Sequence, residues 1–234
     1  MPIKLIVISG PTASGKTRLA LALAKKYDGY IINADSRTIY KGLDLATAKP
    51  TKTEQKQVKH YLIDIIRPDQ RYTVVDFKRQ AEKIINTKKG LPFIVGGTGL
   101  YISALTENWQ FDKQTIGPAK YESLVLVLNP SRSKLYQQIN KRVINIWQKG
   151  LVAETKKLQK KYKFSLPPFT GIGYREVAAY LDGQLTKDQA IAKIQINTRR
   201  YAKRQWTWWR ARKNVNWIKT RKEAEQLIRD FNKR

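Results

Sequence analysis

The sequence predicts an α/β fold: a mostly parallel sheet flanked by helices, followed by a basic helical C-terminal part. Three observations carry that prediction. Short apolar runs at 4–9, 30–33, 91–95 and 124–128 alternate with stretches of helical composition, the pattern of strands joined by crossover helices. The first run leads into a glycine-bearing loop and then a helix. Turn residues close two later runs, Gly96-Gly97 after one and Asn129-Pro130 after another.

Taken in order, 4–9 reads as a buried strand and 18–26, rich in Ala and Leu, as a helix. A second strand at 30–33 is followed by a helix that contains 80–87, and a third strand lies at 91–95. After the strand at 124–128, Ser131 opens a long helix with apolar positions Leu135, Ile139, Val143, Ile146 and Trp147. Gly150 interrupts it, and 152–162 continues as a second helical segment. A loop with Pro167-Pro168 and Gly171-Ile172-Gly173 precedes helices around 176–181 and 187–212, and 215–219 is a final strand. No internal repeat or low-complexity tract is present. One core over 1–234 is expected, with its helical C-terminal region at about 131–212.

Composition narrows the function classes. The 234 residues hold no cysteine and one histidine, which excludes disulfides, thiolate metal sites, a cysteine nucleophile and a His-rich zinc site. The apolar run 3–8 is too short to cross a bilayer and is followed by no cleavage site, so the expectation is a cytoplasmic protein without a membrane partner. The net charge of +28, from 46 basic and 18 acidic residues, is far above the ~2–8 of ordinary small domains and points to a polyanion. That charge is uneven: 1–110 carries 18 basic and 9 acidic residues, whereas 111–234 carries 28 and 9. The last 36 residues hold 13 basic and 3 acidic side chains, interleaved with Tyr201, Trp206, Trp208, Trp209 and Trp217. Such a mixture suits phosphate contacts with base stacking, or a helix that buries its rings and turns its cations to water.

Three loops at strand ends carry the chemistry. Gly10-Pro11-Thr12-Ala13-Ser14-Gly15-Lys16-Thr17 is a full G-x-x-x-x-G-K-T between a strand and a helix, which makes the fold P-loop NTPase-like. Its backbone N–H groups cradle a diphosphate or triphosphate, Lys16 neutralises charge, and Thr17 is the candidate ligand for Mg²⁺. The run Asp35-Ser36-Arg37-Thr38 follows the second strand, with Asp35 a candidate base, metal ligand or helix cap. The run Gly96-Gly97-Thr98-Gly99 follows the third and offers close backbone approach and a hydroxyl. His60, Asp64 and Asp76 have structural readings as good as any catalytic one.

These loops, with the runs 34–50 (ADSRTIYKGLDLATAKP), 60–65 (HYLIDI), 72–77 (YTVVDF), 96–101 (GGTGLY) and 198–208 (TRRYAKRQWTW), resemble the tRNA dimethylallyltransferase (IPP transferase) family. The likeness extends over Glu154 and 171–176, and so over nearly the whole chain. The resemblance implies transfer of a dimethylallyl group from dimethylallyl diphosphate to N6 of adenosine 37, beside the tRNA anticodon, with release of pyrophosphate. It implies that the P-loop grips the prenyl diphosphate, that Arg199 adds counter-charge, that Asp35 is the base and that Thr98 orients the amine or the diphosphate. Ser36, Arg37 and Thr38, with Lys203 and Arg204, would face the tRNA, and the family is expected to be monomeric.

One departure stands out. The family carries a helical insertion before the strand at 124–128, and here only a short linker at about 110–121 fills that place. The expectation is that the basic second half takes over part of the RNA grip through phosphate contacts. Three competing classes remain from sequence: a P-loop small-molecule kinase, a prenyltransferase for free adenine nucleotides, and a nucleic-acid binder with a relic nucleotide site. The first two leave the +28 charge without a purpose, and the intact Lys16, Thr17, Asp35 and Thr98 argue against the third.

Overall fold

The computed structural model describes residues 2–233. β1 (Ile3–Ser9) has Leu5, Ile6, Val7 and Ile8 fully buried, as a strand covered by helices on both faces requires. It is followed by α1 (Lys16–Lys26), β2 (Gly29–Asn33), α2 (Lys52–Gln57), β3 (His60–Tyr61), α3 (Val74–Thr87), β4 (Leu91–Val95) and α4 (Gly99–Thr106). β5 (Trp109–Gln110) and β6 (Thr115–Ile116) form a small antiparallel hairpin. Then come β7 (Tyr121–Leu128), α5 (Arg132–Gln148), α6 (Leu151–Gln159), a 3₁₀ turn at Pro167–Thr170, α7 (Tyr174–Leu181), α8 (Lys187–Arg210), β8 (Asn216–Ile218) and α9 (Arg221–Lys233).

Six strands make one wholly parallel sheet in the order β3-β2-β4-β1-β7-β8. Because every strand runs the same way, the loops after β1, β2, β4 and β7 all open on one edge. Alternation along β1 sorts its side chains between two cores. Ile6 and Ile8 pack with Leu19 and Leu23 of α1 and with Ile228 and Phe231 of α9. Leu5 and Val7 pack with Phe77 of α3, with Tyr101 and Ile102 of α4, and with Trp209 at the end of α8. Each such side chain contributes roughly 1.5–3 kcal/mol when fully buried.

A third core lies above that edge. Ile39 and Leu43, from the loop after β2, pack with Leu135, Ile139 and Val143 of α5, Leu151 of α6, Phe169, Tyr174 and Ile194. The helices α5 to α8 therefore form a lid of secondary structure over the strand ends rather than a separate body. Side-chain caps fix where they start: Ser131 accepts from the Lys134 N–H at α5, and Thr186 with Gln189 forms a capping box at α8.

Several expected residues turn out to be structural. Asp76 closes the capping box of α3 with Thr73, and Asp64 pairs with Lys49 and Lys52. Trp206 and Trp209 are 8% and 2% exposed, so they stabilise the core and offer no stacking face to RNA. Trp208 is covered by the Arg212 guanidinium, 3.9 Å from the ring centroid. The segment 221–233, to which the sequence pattern assigns no element, is the helix α9, whose Ala224, Ile228 and Phe231 are buried.

Candidate active site

The P-loop takes its shape from close backbone packing. At Gly10 φ is +136°, and a methyl group there would lie 2.8 Å from the Leu128 carbonyl oxygen. The chain then curls past Ala13, also at positive φ, into the start of α1. Lys16 folds back over the loop, donating to the Gly10 carbonyl at 3.0 Å and the Pro11 carbonyl at 2.8 Å. Burial, against the pull of Asp35 and with the help of nearby Arg142, lowers its pKa to about 8.

The loops after β2 and β4 are locked together. A methyl group on Gly96 would sit 2.0 Å from the Ala34 carbonyl oxygen, so only glycine lets the two backbones approach this closely. The Thr98 N–H donates to that same carbonyl at 3.1 Å. Thr98 occupies the N-cap of α4 yet makes no capping bond there. Its hydroxyl accepts instead from the Ser36 N–H at 3.0 Å. Asp35 accepts from the Arg37 N–H at 2.9 Å through Oδ1, as in an Asx turn, and no helix follows for it to cap. Among the described residues no hydrogen bond engages its Oδ2.

α8 ties both loops to the lid. The Gln205 side chain accepts from the Thr12 N–H at 2.7 Å and donates to the Gly97 carbonyl at 2.9 Å. From α5, Arg142 donates to the Thr12 hydroxyl at 3.1 Å, and burial lowers its pKa while Asp35 opposes the shift. Glu176, 3% exposed, holds the loop before α7 against α8 by accepting from Gly173 N–H and Asn197 Nδ2, each at 2.8 Å. Glu154 accepts from the Leu45 N–H and, at 2.6 Å, from the Tyr174 hydroxyl; desolvation raises its pKa.

Two cavities meet at these residues. One, of about 470 Å³, lies over the P-loop and reaches Thr17, Asn33, Asp35, Thr38 and His60. The other, of about 520 Å³, runs beneath the lid. Its lining combines the polar residues Thr12, Lys16, Arg142, Asp35 and Ser36 with the apolar residues Ile139, Val143, Ile146, Ile172 and Ile194. Thr12, Lys16, Asp35, Gly97 and Arg142 belong to both. A ligand with an anionic head and a short hydrocarbon tail matches this mixed lining.

The structure thus gathers Lys16, Thr12, Asp35 and Ser36 as the sequence predicts, and redistributes the others. Thr98 lines neither cavity and acts through Ser36. Thr38 is 3% exposed, accepts from the Asn33 amide at 2.7 Å and lines the P-loop cavity. Arg199 donates to Asn140 Oδ1 at 2.8 Å and stacks over Tyr136, while its buried Nε has no acceptor among the described residues. It does not line the cavity under the lid; Arg142 and Arg200 do. Arg37, on the rim, donates to the Pro167 carbonyl. Arg204 lines this cavity as well, whereas Lys203 faces a different cleft. His60 bonds the Val58 carbonyl through Nδ1 at 2.7 Å, and burial lowers its pKa.

Arg142 and Gln205 were not foreseen. Arg142 sits beside the buried stripe Leu135, Ile139, Val143, and a cation at the border of an apolar face was the available signal. Gln205 is a polar residue on the buried face of α8, between Ala202 and Trp206.

A parallel sheet with a P-loop on its central strand, a carboxylate on the neighbouring loop and a helical lid defines a P-loop α/β protein built around a phosphorylated ligand. Comparison with known proteins narrows this class. The pattern that defines the IPPT family, IPP transferase, matches residues 38–118 and 109–212. The chain is 37% identical to the tRNA dimethylallyltransferase of Ligilactobacillus salivarius, over 93% of this chain and 94% of the relative. It is 36% identical to the tRNA dimethylallyltransferase of Acetivibrio thermocellus, over 91% and 90%. The crystal structure of the full-length tRNA isopentenylpyrophosphate transferase of Bacillus halodurans superposes with a TM-score of 0.89 at 32% identity, over 98% of this chain and 95% of that one. The chain belongs to the IPP transferase family.

Proposed function

We propose that this chain transfers a dimethylallyl group from dimethylallyl diphosphate to N6 of adenosine 37 in tRNA, releasing pyrophosphate. The observation that carries the reading is the cavity of about 520 Å³ that brings Lys16, Arg142 and Thr12 of the P-loop together with the apolar side chains Ile139, Val143, Ile146, Ile172 and Ile194. Relatives named tRNA dimethylallyltransferase, and the net charge of +28, support tRNA as the acceptor.

In this reading the allylic C–O bond breaks with its electron pair going to the diphosphate. Lys16, Arg142 and the P-loop amides stabilise the charge that develops there. The N6 amine of adenine attacks the allylic carbon, forming the C–N bond, and gives its proton to Asp35 through the oxygen left free of the Arg37 N–H. Thr98 fixes Ser36, and with it the backbone that presents Asp35. The lid over the strand ends keeps water from the reactive carbon, and the target base must leave its stack to enter. Arg37, Arg200 and Arg204 line this cavity and suit the phosphates flanking that base.

Mg²⁺ fits this site. Among the described residues no cluster of three His, Cys, Asp or Glu holds a metal on its own. Thr17, which lines the P-loop cavity, supplies a hard oxygen donor of the kind that Mg²⁺ takes alongside water and substrate phosphates. The ion would add positive charge at the diphosphate.

The β5–β6 hairpin stands where the family insertion is expected, and we read it as the reduced form of that domain. The alignment with the L. salivarius relative runs over 287 residues, more than the 234 of this chain, so the relative carries residues with no counterpart here.

The test is direct. The protein is incubated with dimethylallyl diphosphate, Mg²⁺ and unmodified tRNA carrying A36-A37, and the RNA is digested and weighed. The expected result is one added prenyl group on adenosine 37. Unmodified RNA, with turnover of ATP or prenylation of free AMP, overturns the reading.

A further inference from the structure

A larger cavity adjoins the site above. It is a cleft of about 930 Å³ that touches the P-loop at Ser14 and Gly15 and shares Arg18 and Gln138 with the P-loop cavity. Five elements or their junctions build it: α1, the β7–α5 turn, α5, α8 and the β8–α9 turn. Arg18, Arg132, Lys134, Lys203, Arg210 and Lys219 line it, all exposed, and no carboxylate does. Among the described residues none of these six makes an ion pair; a seventh cation, Arg221, is neutralised by Glu225 at 2.7 Å. The first turns of α5 and α9 open onto the same cleft, adding the positive ends of two helix dipoles. Trp206, 8% exposed, forms part of the wall, and its buried indole N–H has no acceptor among the described residues.

Six unpaired cations around one concavity repel one another, and nothing in the packing of the sheet requires them there. We infer that this cleft is a second docking surface for the RNA substrate, which takes its phosphodiester backbone while the target base occupies the cavity under the lid. α8 connects the two sites, since Lys203 faces the cleft and its neighbour Arg204 faces the cavity. RNA is favoured over a small anion on two grounds. The cleft has nearly twice the volume of the cavity that suits a prenyl diphosphate, 930 against 520 Å³. Its cations are also spread over separate elements, whereas the P-loop converges on one point. The contacts are to phosphate, so they supply affinity and register without reading sequence.

This inference rests on the tRNA-prenylating reading, and binding measured without prenyl donor keeps the two apart. A protein that binds the RNA through this cleft but transfers no prenyl group sinks that reading alone. The probe is a fluorescent RNA hairpin carrying an A36-A37 anticodon loop, titrated at several salt concentrations against the full chain. In the triple variant Lys134→Gln, Lys203→Gln, Arg210→Gln, the slope of log affinity against log salt becomes shallower by about 2, since each lost phosphate contact removes roughly 0.7–0.9. A control triple on other surfaces, Lys25→Gln, Lys88→Gln, Lys89→Gln, keeps the wild-type slope, and so does Lys134→Arg with Lys203→Arg. Equal changes in both Gln triples would reduce the effect to net charge and overturn the inference, as would an unchanged slope in the cleft triple. Lost affinity for inorganic pyrophosphate with the RNA slope intact would make the cleft a small-anion site instead, and overturn it too.

Discussion

Lys16 and Arg142 stand over the inner cavity; Arg18, Lys134, Lys203 and Arg210 ring the outer cleft. The inner pair is desolvated, hydrogen-bonded to the P-loop and under the field of Asp35. The outer set is exposed and makes no ion pairs among the described residues. Salt screens exposed charges beyond a Debye length of about 10 Å at 0.1 M, whereas buried charges keep most of their interaction. A large net charge therefore does two jobs. In the proposed reading, a few buried cations act on bond breaking and many exposed ones act on capture.

Substitutions test that division, beginning with the largest effect. Lys16→Met should lower kcat/KM for prenyl transfer by about 10³-fold, and Asp35→Ala should lower kcat by about 10²–10⁴-fold while pyrophosphate binding persists. If Lys16→Met costs no more than Lys203→Gln, the contrast between inner and outer cations fails. Gln205→Leu leaves the Thr12 N–H and the Gly97 carbonyl without their partner, so a loss of about 1–3 kcal/mol in unfolding free energy is expected from denaturant titration.

Acidity gives a subtler reading. With its pKa at about 8, Lys16 loses its charge as pH rises through that value, so pyrophosphate affinity is full below pH 8 and declines above it, by at most tenfold per pH unit. Binding near pH 8.5 should take up protons, visible as buffer-dependent heat in calorimetry. Arg142→Met removes a neighbouring cation that lowers the Lys16 pKa, so the decline should move to higher pH. The smallest effect is expected of Lys203→Gln alone, a loss of about threefold in RNA affinity at low salt that vanishes as salt rises.

Legibility followed the range of the interactions. Local signals survived folding: the strand at 91–95, the G-x-x-x-x-G-K-T loop and the Ser131 cap lie where the sequence puts them. The two-residue β3 carries no periodicity of its own and exists because β2 pairs with it. α9 shows a readable apolar stripe at Ala224, Ile228 and Phe231, masked by the charge of the residues between. At the site, Asp35 and Lys16 could be placed because they sit beside strand ends. Arg142 reaches the P-loop from 130 residues away in sequence, through a helix-to-loop contact that only the packed lid creates. Arg199 is likewise placed by packing: its helix turns it toward Asn140 and Tyr136 of α5.

The hairpin after α4 has a bearing on how such an enzyme could be rebuilt. Its two arms are stitched at the base, with the Gly117 N–H donating to the Asn108 carbonyl at 3.0 Å and Trp109 paired with Ile116. The sheet therefore sees two fixed chain ends side by side, whatever length of polypeptide joins them. That makes the junction a socket, in which a folded RNA-binding module can replace 111–114 without altering the register of β7 against β1. Reach and selectivity can be exchanged there while the catalytic core keeps its own stability.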